Sequence, residues 1–261
     1  MNRQTSDGHL ASRAIALDFD GVVWDSVDEA FELAWRTWSD LHGIPATPKE
    51  QMKLGFRRAR WQCKDGHDFY LATRLLAANP PQDVGGMSAG DFRRLRGSTC
   101  ATEDSSRFVK SFYELRDFMR EHDREAWLAL QQPFPGVTAQ VARLRESARG
   151  VAIATTKDTA SARTLLKMAG LDGIPVFGRE VSLDKRDHMR AIARTFDVPL
   201  DHVAFVDDLL ENLLPLAPLG VSLGLAGWGY NTPEERKRAT DAGVPVLTLD
   251  RFADGVLAMF P

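Results

Sequence analysis

The sequence has little cysteine, no long apolar run and no excess of positive charge, and each shortage narrows what the protein can be. Its two cysteines, Cys63 and Cys100, show no metal-ligand spacing. They could pair once, but reduced thiols in a cytoplasmic protein fit better. No stretch reaches the ~20 apolar residues of a transmembrane helix. The first twelve residues are polar, unlike a secretory leader. No membrane partner is therefore expected. A formal net charge of −3 without a basic tract argues against a nucleic-acid partner. "GLAGWG" (224–229) holds glycines at the wrong spacing for a dinucleotide fingerprint. Internal repeats and low-complexity tracts are also missing. What remains is an ordinary globular chain of 261 residues, 44% hydrophobic and 26% charged, long enough for one or two domains.

Short apolar runs of strand length are the positive signal. "AIALDF" (14–19) is the first, followed by "GVAIAT" (150–155), "IPVFG" (174–178), "HVAFVDD" (202–208), "GVSLGLA" (220–226) and "PVLTL" (245–249). Continuous rather than alternating apolar character suggests strands buried on both faces, as in a parallel sheet. Amphipathic stretches at 159–169, 185–196 and 211–218 lie between them. The pattern predicts an α/β fold, a doubly wound, Rossmann-like parallel sheet. It breaks once: from 27 to 132 no strand is evident, only helix-like stretches such as 28–43 and 106–131, with 79–91 reading as a loop. "PFPG" (133–136) marks the return. The expected organisation is a core of 1–26 and 133–261, with an all-helical domain of 27–132 inserted after the first strand.

The first strand ends in two acids, Asp18 and Asp20, one residue apart. Extended backbone would point both side chains to one face. Like charges that close repel unless a cation lies between them or one stays protonated. In open α/β sheets, ligands bind beyond the carboxyl ends of the strands. Those ends also carry Gly21, Thr155 with Thr156, and Asp207 with Asp208, while Lys185 opens a helix leading to the last pair. Carboxylates, a hydroxyl and an ammonium at one sheet edge suit a hard cation such as Mg²⁺. They also suit phosphoryl transfer to a carboxylate nucleophile, with a second carboxylate moving the proton.

In this arrangement the sequence resembles the haloacid dehalogenase superfamily, in its phosphatase branch with a helical cap of the first-insertion type. "DFDGVVWDS", "IATTKD", the lysine of "SLDKRDHMRAI" and "FVDDLLEN" are similar to the four family motifs, in order. The resemblance implies Asp18 as nucleophile, Asp20 as general acid/base, Thr155 and Lys185 on the phosphoryl oxygens, and Mg²⁺ on Asp18, Asp208 and the backbone carbonyl of Asp20. Asp207, Asn212, Gly21 and Thr156 would support them. The 135 positions from Asp20 to Thr155 leave room for a cap, and the 30 from Thr155 to Lys185 do not. The intact acid pair favours phosphate esters over halides, because a halide leaves without a proton. The implied activity is a Mg²⁺-dependent phosphatase acting on a small phosphorylated metabolite.

Alternatives stay open within the same residues. A phosphomutase, a phosphonatase or a dehalogenase would share the fold, and a phospho-accepting module would share the acids without turnover. Thr155 also suits a helix N-cap, and Asn212 an ordinary first-turn polar residue. Candidates for specificity are Trp24, just after the first motif, and the arginines Arg57, Arg58 and Arg60 of the insertion. An arginine there can clamp an anionic substrate group, although a solvated helix face accounts for each. Nothing in the sequence speaks to oligomeric state.

Overall fold

A computed structural model describes residues 12–44, 47–48 and 50–260. The described chain divides into two compact units, one running up to Asp25 and resuming at Pro133, the other spanning Ser26–Gln132.

The first unit holds a six-stranded sheet of β1 (Ala14–Leu17), β4 (Gly150–Ala154), β5 (Val176–Phe177), β6 (Val203–Asp207), β7 (Ser222–Ala226) and β8 (Val246–Leu247). Its order is β5-β4-β1-β6-β7-β8, and every pair is parallel. Successive strands depart from β1 first towards β5 and then towards β8, so the order reverses at β1. Such a reversal opens a crevice beyond the carboxyl ends of the strands. Two shorter strands, β2 (Trp24–Asp25) and β3 (Gln132–Pro133), form a separate ribbon.

The doubly wound core follows from alternation along these strands. On one face Ala14 and Ala16 of β1 and Ala152 and Ala154 of β4 join Met189, Ile192, Phe205 and Leu213 in one buried cluster. Small side chains on two adjacent strands let the helix Lys185–Phe196 lie close to the sheet. At Gly150 a Cβ would run into the Phe196 ring. Ile15, Leu17 and Ile153 are buried as well, as are Val137, Val141 and Leu144 of the helix Val137–Ser147.

Local chemistry moves several expected boundaries. The first strand ends at Leu17, and Asp20 lies beyond it as an isolated bridge residue paired with Trp24, the turn following over 21–23. The stretch expected as a helix over 211–218 is helical only at Leu210–Leu213 and tightens to a 3₁₀ turn over Leu214–Leu219. Pro215 and Pro218 supply no N–H for an α-helical ladder. The 159–168 helix is capped by Asp158, whose carboxylate accepts from the Ser161 N–H at 2.7 Å. Thr155 is therefore not its N-cap.

The second unit is built from six α-helices among the described residues: Val27–His42, Glu50–Ala59, Gly66–Ala77, Ala89–Thr99, Glu103–His122 and Arg124–Ala129. Aromatic rings link them, with Phe31 on Phe56, Phe56 on Phe69 and Phe69 on Phe112 at 5.5, 5.9 and 5.4 Å between centroids. The loop expected over 79–91 is shorter, because Ser88 caps a helix that already begins at Ala89. The helical stretch 106–131 is broken at Asp123.

His188 lies one turn beyond Lys185 on the same helix and is fully buried. Burial, reinforced by the Lys185 ammonium, pushes its pKa down from 6.5 to about 4. The unfolded chain therefore takes up a proton in a pH range where the folded protein does not. This contribution to stability is intact above the ordinary value and drains away as pH falls towards 4, by up to about 3 kcal/mol. The parent melting temperature should accordingly fall more steeply between pH 6.5 and 4.5 than that of His188→Gln. Parallel melting curves would dismiss the assignment.

Candidate active site

Strand register assembles the site. Leu17 pairs with Ile153 and with Val206, so the next residues along are Asp18, Ala154 and Asp207. Asp18 continues the ladder by one bond, its N–H donating to the Val206 carbonyl at 2.8 Å. The chain then folds back on itself. The Trp24 N–H donates to the Phe19 carbonyl at 2.9 Å, and the Gly21 N–H to the Trp24 carbonyl at 2.8 Å. Gly21 has φ +91°, and a Cβ there would sit inside the Asp208 carboxylate. Only glycine meets both demands.

One carboxylate oxygen from each of Asp18, Asp207 and Asp208 lies within 4.8 Å of the others, and all three residues are buried. Lys185 projects into this cluster from its helix. Its Nζ donates to Asp18 Oδ1 at 2.8 Å and to the Ala154 carbonyl at 2.6 Å, and stands 3.4 Å from Asp207 Oδ2. Burial raises the Asp18 carboxyl, Lys185 opposes it, and Asp207 and Asp20 add to the rise, leaving the group at about 7. For Lys185 burial alone would lower the pKa, but Asp18 and Asp207 outweigh it and hold the ammonium above its usual range. Three carboxylates against one buried ammonium leave an excess of negative charge in oxygen donors. That donor set fits a hard divalent cation.

The two acids of the fourth motif are held differently. Asp207 accepts from the Leu209 N–H at 2.9 Å, and both of its oxygens accept from Asn212 Nδ2 at 3.1 Å. Asn212 thus steadies Asp207. Asp208 Oδ2 accepts from the Tyr230 N–H at 2.7 Å, and its carbonyl accepts from Asn231 Nδ2 at 3.0 Å. A Cβ at Gly229 would strike Asp208 and the Gly21 carbonyl, so the backbones approach closely. Of the "GLAGWG" glycines, Gly229 therefore serves packing around an acid. Gly224 faces Met259 and Leu247, and Gly227 faces Val246 and the Leu247 carbonyl.

Asp20 stands apart from the buried cluster. Its Oδ1 lies 3.3 Å from the Nζ of Lys157. Thr155 is buried, and its Oγ1 accepts from the Lys157 N–H at 3.1 Å, which leaves the hydroxyl its own hydrogen to donate. Thr156 follows in the bend after β4. Asp18, Asp20, Thr155, Lys185, Asp207, Asp208, Asn212 and Gly21 are thus brought together at one edge of the sheet.

Trp24 and the arginines are engaged elsewhere. Trp24 is fully buried and stacks on Phe19 at 5.6 Å, a packing position rather than an exposed one. Within the second unit, Arg57 donates to Asp28 at 2.8 Å, Arg58 to Asp83 at 3.4 Å and Arg60 to the Cys63 carbonyl at 2.6 Å. These are three separate partners, so the arginines do not form one clamp. The residues missed from the sequence are Lys157 and Tyr230. Lys157 falls inside the second motif, two positions past Thr155, where a buried lysine could have been suspected. Tyr230 acts through its backbone, which no side-chain motif records.

A family model described as haloacid dehalogenase-like hydrolase matches residues 12–220. No curated protein matches. Among solved structures, a haloacid dehalogenase-like hydrolase from Streptococcus pneumoniae is 16% identical with a TM-score of 0.61, the match covering 95% of this chain and 98% of that one. A predicted phosphatase from Clostridium acetobutylicum is 15% identical at 0.64, covering 95% and 99%. A predicted phosphoglycolate phosphatase from Haemophilus somnus is 17% identical at 0.62, covering 93% and 95%. At these identities the likeness is one of fold.

Proposed function

The chain belongs to the haloacid dehalogenase-like hydrolases, and from that premise we propose that it is a Mg²⁺-dependent phosphatase of a small phosphorylated metabolite. The observation that carries this reading is the separate handling of the two acids. Asp18 is buried against Lys185, while Asp20 sits outside the cluster against Lys157. Two carboxyl groups in distinct environments suit two roles. Asp18, held at the sheet edge, is the nucleophile. Asp20 protonates the leaving oxygen and then takes a proton from the water that cleaves the aspartyl-phosphate. Lys185 and the Thr155 hydroxyl hold phosphoryl oxygens through charge and hydrogen bonding.

Asp18, Asp208 and the Asp20 carbonyl would hold the cation, with Asp207 supporting because its oxygens already accept from Asn212, Leu209 and Lys185. Bound there, Mg²⁺ neutralises the clustered carboxylates and polarises a phosphoryl oxygen. The Ser26–Gln132 unit is the cap and the seat of specificity. Phosphatase names among the fold neighbours agree with this reaction class.

The test is a panel of phosphomonoesters incubated with the purified protein, with and without Mg²⁺. Inorganic phosphate should appear from at least one ester and only with the cation. Halide release from haloacids, or isomerised phosphate without release, would overturn the reading.

A further inference from the structure

Lys157 is an unusual place to bury an ammonium. The residue is 3% exposed, and its backbone is fixed from both sides. The N–H donates to Thr155 Oγ1 at 3.1 Å, and the carbonyl accepts from the Arg179 N–H at 3.2 Å. A Cβ on Gly178 would press on that same carbonyl. The side chain then delivers Nζ to Asp20 Oδ1 at 3.3 Å, across 137 positions of sequence. The turn carrying Asp20 does not need this ion pair to keep its shape. Backbone bonds from Gly21, Val23 and Trp24 already close it.

We infer that Lys157 is a positioning residue that orients the Asp20 carboxylate for proton transfer at the leaving oxygen. A charged donor on one carboxylate oxygen fixes the rotation of the group and defines which oxygen meets the substrate. Lys157 neither gives nor takes a proton. As Asp18 forms its bond to phosphorus and the ester P–O bond breaks, the proton moves from Asp20 to the departing alkoxide. Water then gives a proton to Asp20 while its oxygen attacks phosphorus, and the bond to Asp18 breaks. Because the Lys157 backbone also binds the Thr155 hydroxyl, one residue sets the phosphoryl contact and the proton shuttle in a common frame.

This inference rests on the phosphatase reading, and leaving-group dependence separates the two. The ratio kcat/KM reports the steps through leaving-group departure. An alkyl phosphate needs its leaving oxygen protonated, whereas p-nitrophenolate departs without help. Lys157→Met should lose on the order of 10²-fold in kcat/KM on the best alkyl phosphate of the panel and stay within about threefold of the parent on p-nitrophenyl phosphate. Asp20→Asn, which removes the proton shuttle itself, should lose at least as much on the alkyl phosphate. The Lys157→Met/Asp20→Asn double variant should lose no more than Asp20→Asn alone, as expected for groups acting as one unit. Equal losses on both esters, or additive losses in the double variant, would overturn the inference while leaving the phosphatase reading intact. A parent that releases phosphate from neither ester would overturn both. If Lys157→Met does not fold, Lys157→Arg carries the same comparison. It should keep the parent's ratio between the esters, and a uniform loss would count against the inference.

Discussion

Asp18→Asn should abolish phosphate release, lowering kcat by on the order of 10⁴-fold or more, in a protein that remains folded. The amide cannot act as the nucleophile, and no neighbouring carboxylate replaces it. Asp207 is tied to Asn212 and Leu209, and Asp20 faces Lys157. The fold should tolerate the change because the charge itself is unfavourable. With the Asp18 carboxyl raised from 3.8 to about 7, keeping it ionised costs stability at every pH above its ordinary value, and fully so by pH 7. Removing that charge relieves Asp207 and Asp208, while Lys185 keeps Asp207 as a partner. In chelator at pH 7.5 the variant should therefore melt at or above the parent. Asp20→Asn differs, since it retains the nucleophile and the carboxylates proposed to hold the cation. Its turnover should be crippled with Mg²⁺ binding largely preserved, as measured by calorimetry. Full activity of Asp18→Asn towards any ester would sink the aspartyl-phosphate mechanism.

The legible parts of this molecule are those in which one physical demand acts on many adjacent residues. Runs such as "AFVD" and "GVAIA" announce strands buried on both faces, whereas the strand order is written in no single run and comes only with the structure. The acids at the strand ends were readable for the same reason, since burial of like charges has few explanations. Less legible was anything set by one contact distant in sequence. Nothing in "IATTKD" says that its lysine reaches Asp20, because that depends on a turn closed by Phe19 and Trp24. Nor does "GLAGWG" reveal that its last glycine, Gly229, is set by close approach to Asp208. Helix boundaries inside the insertion moved because capping acts locally: Ser88 and Asp123 each decide an end that hydrophobic periodicity does not register. The arginines at 57, 58 and 60 read as a basic cluster, yet each turns to a different partner.

Arg116→Met should destabilise the protein by about 3–5 kcal/mol, through loss of a buried ion pair in the second unit. Glu29 is fully buried and Arg116 is 4% exposed. The pair is bidentate, Nε and Nη2 donating to the two carboxylate oxygens at 2.7 and 2.9 Å. Trp127 Nε1 donates to the same carboxylate at 3.1 Å, and the guanidinium lies over the rings of Phe112 and Tyr113. Three helices thus converge on one carboxylate: Val27–His42, Glu103–His122 and Arg124–Ala129. Deleting the arginine leaves an ionised carboxylate in an apolar, aromatic surround, where desolvation far outweighs the lost packing. The expected reading is a melting temperature lower by roughly 10 °C or more. The double variant Glu29→Gln/Arg116→Met separates this cause from simple loss of side-chain volume. It removes both charges and keeps an amide oxygen for Trp127, so it should recover to within about 1–2 kcal/mol of the parent. If the single variant costs less than about 1 kcal/mol, the typical value of an exposed pair, the carboxylate is not held in a dry interior. A double variant as unstable as the single one would instead assign the loss to packing of the arginine stem on Phe112.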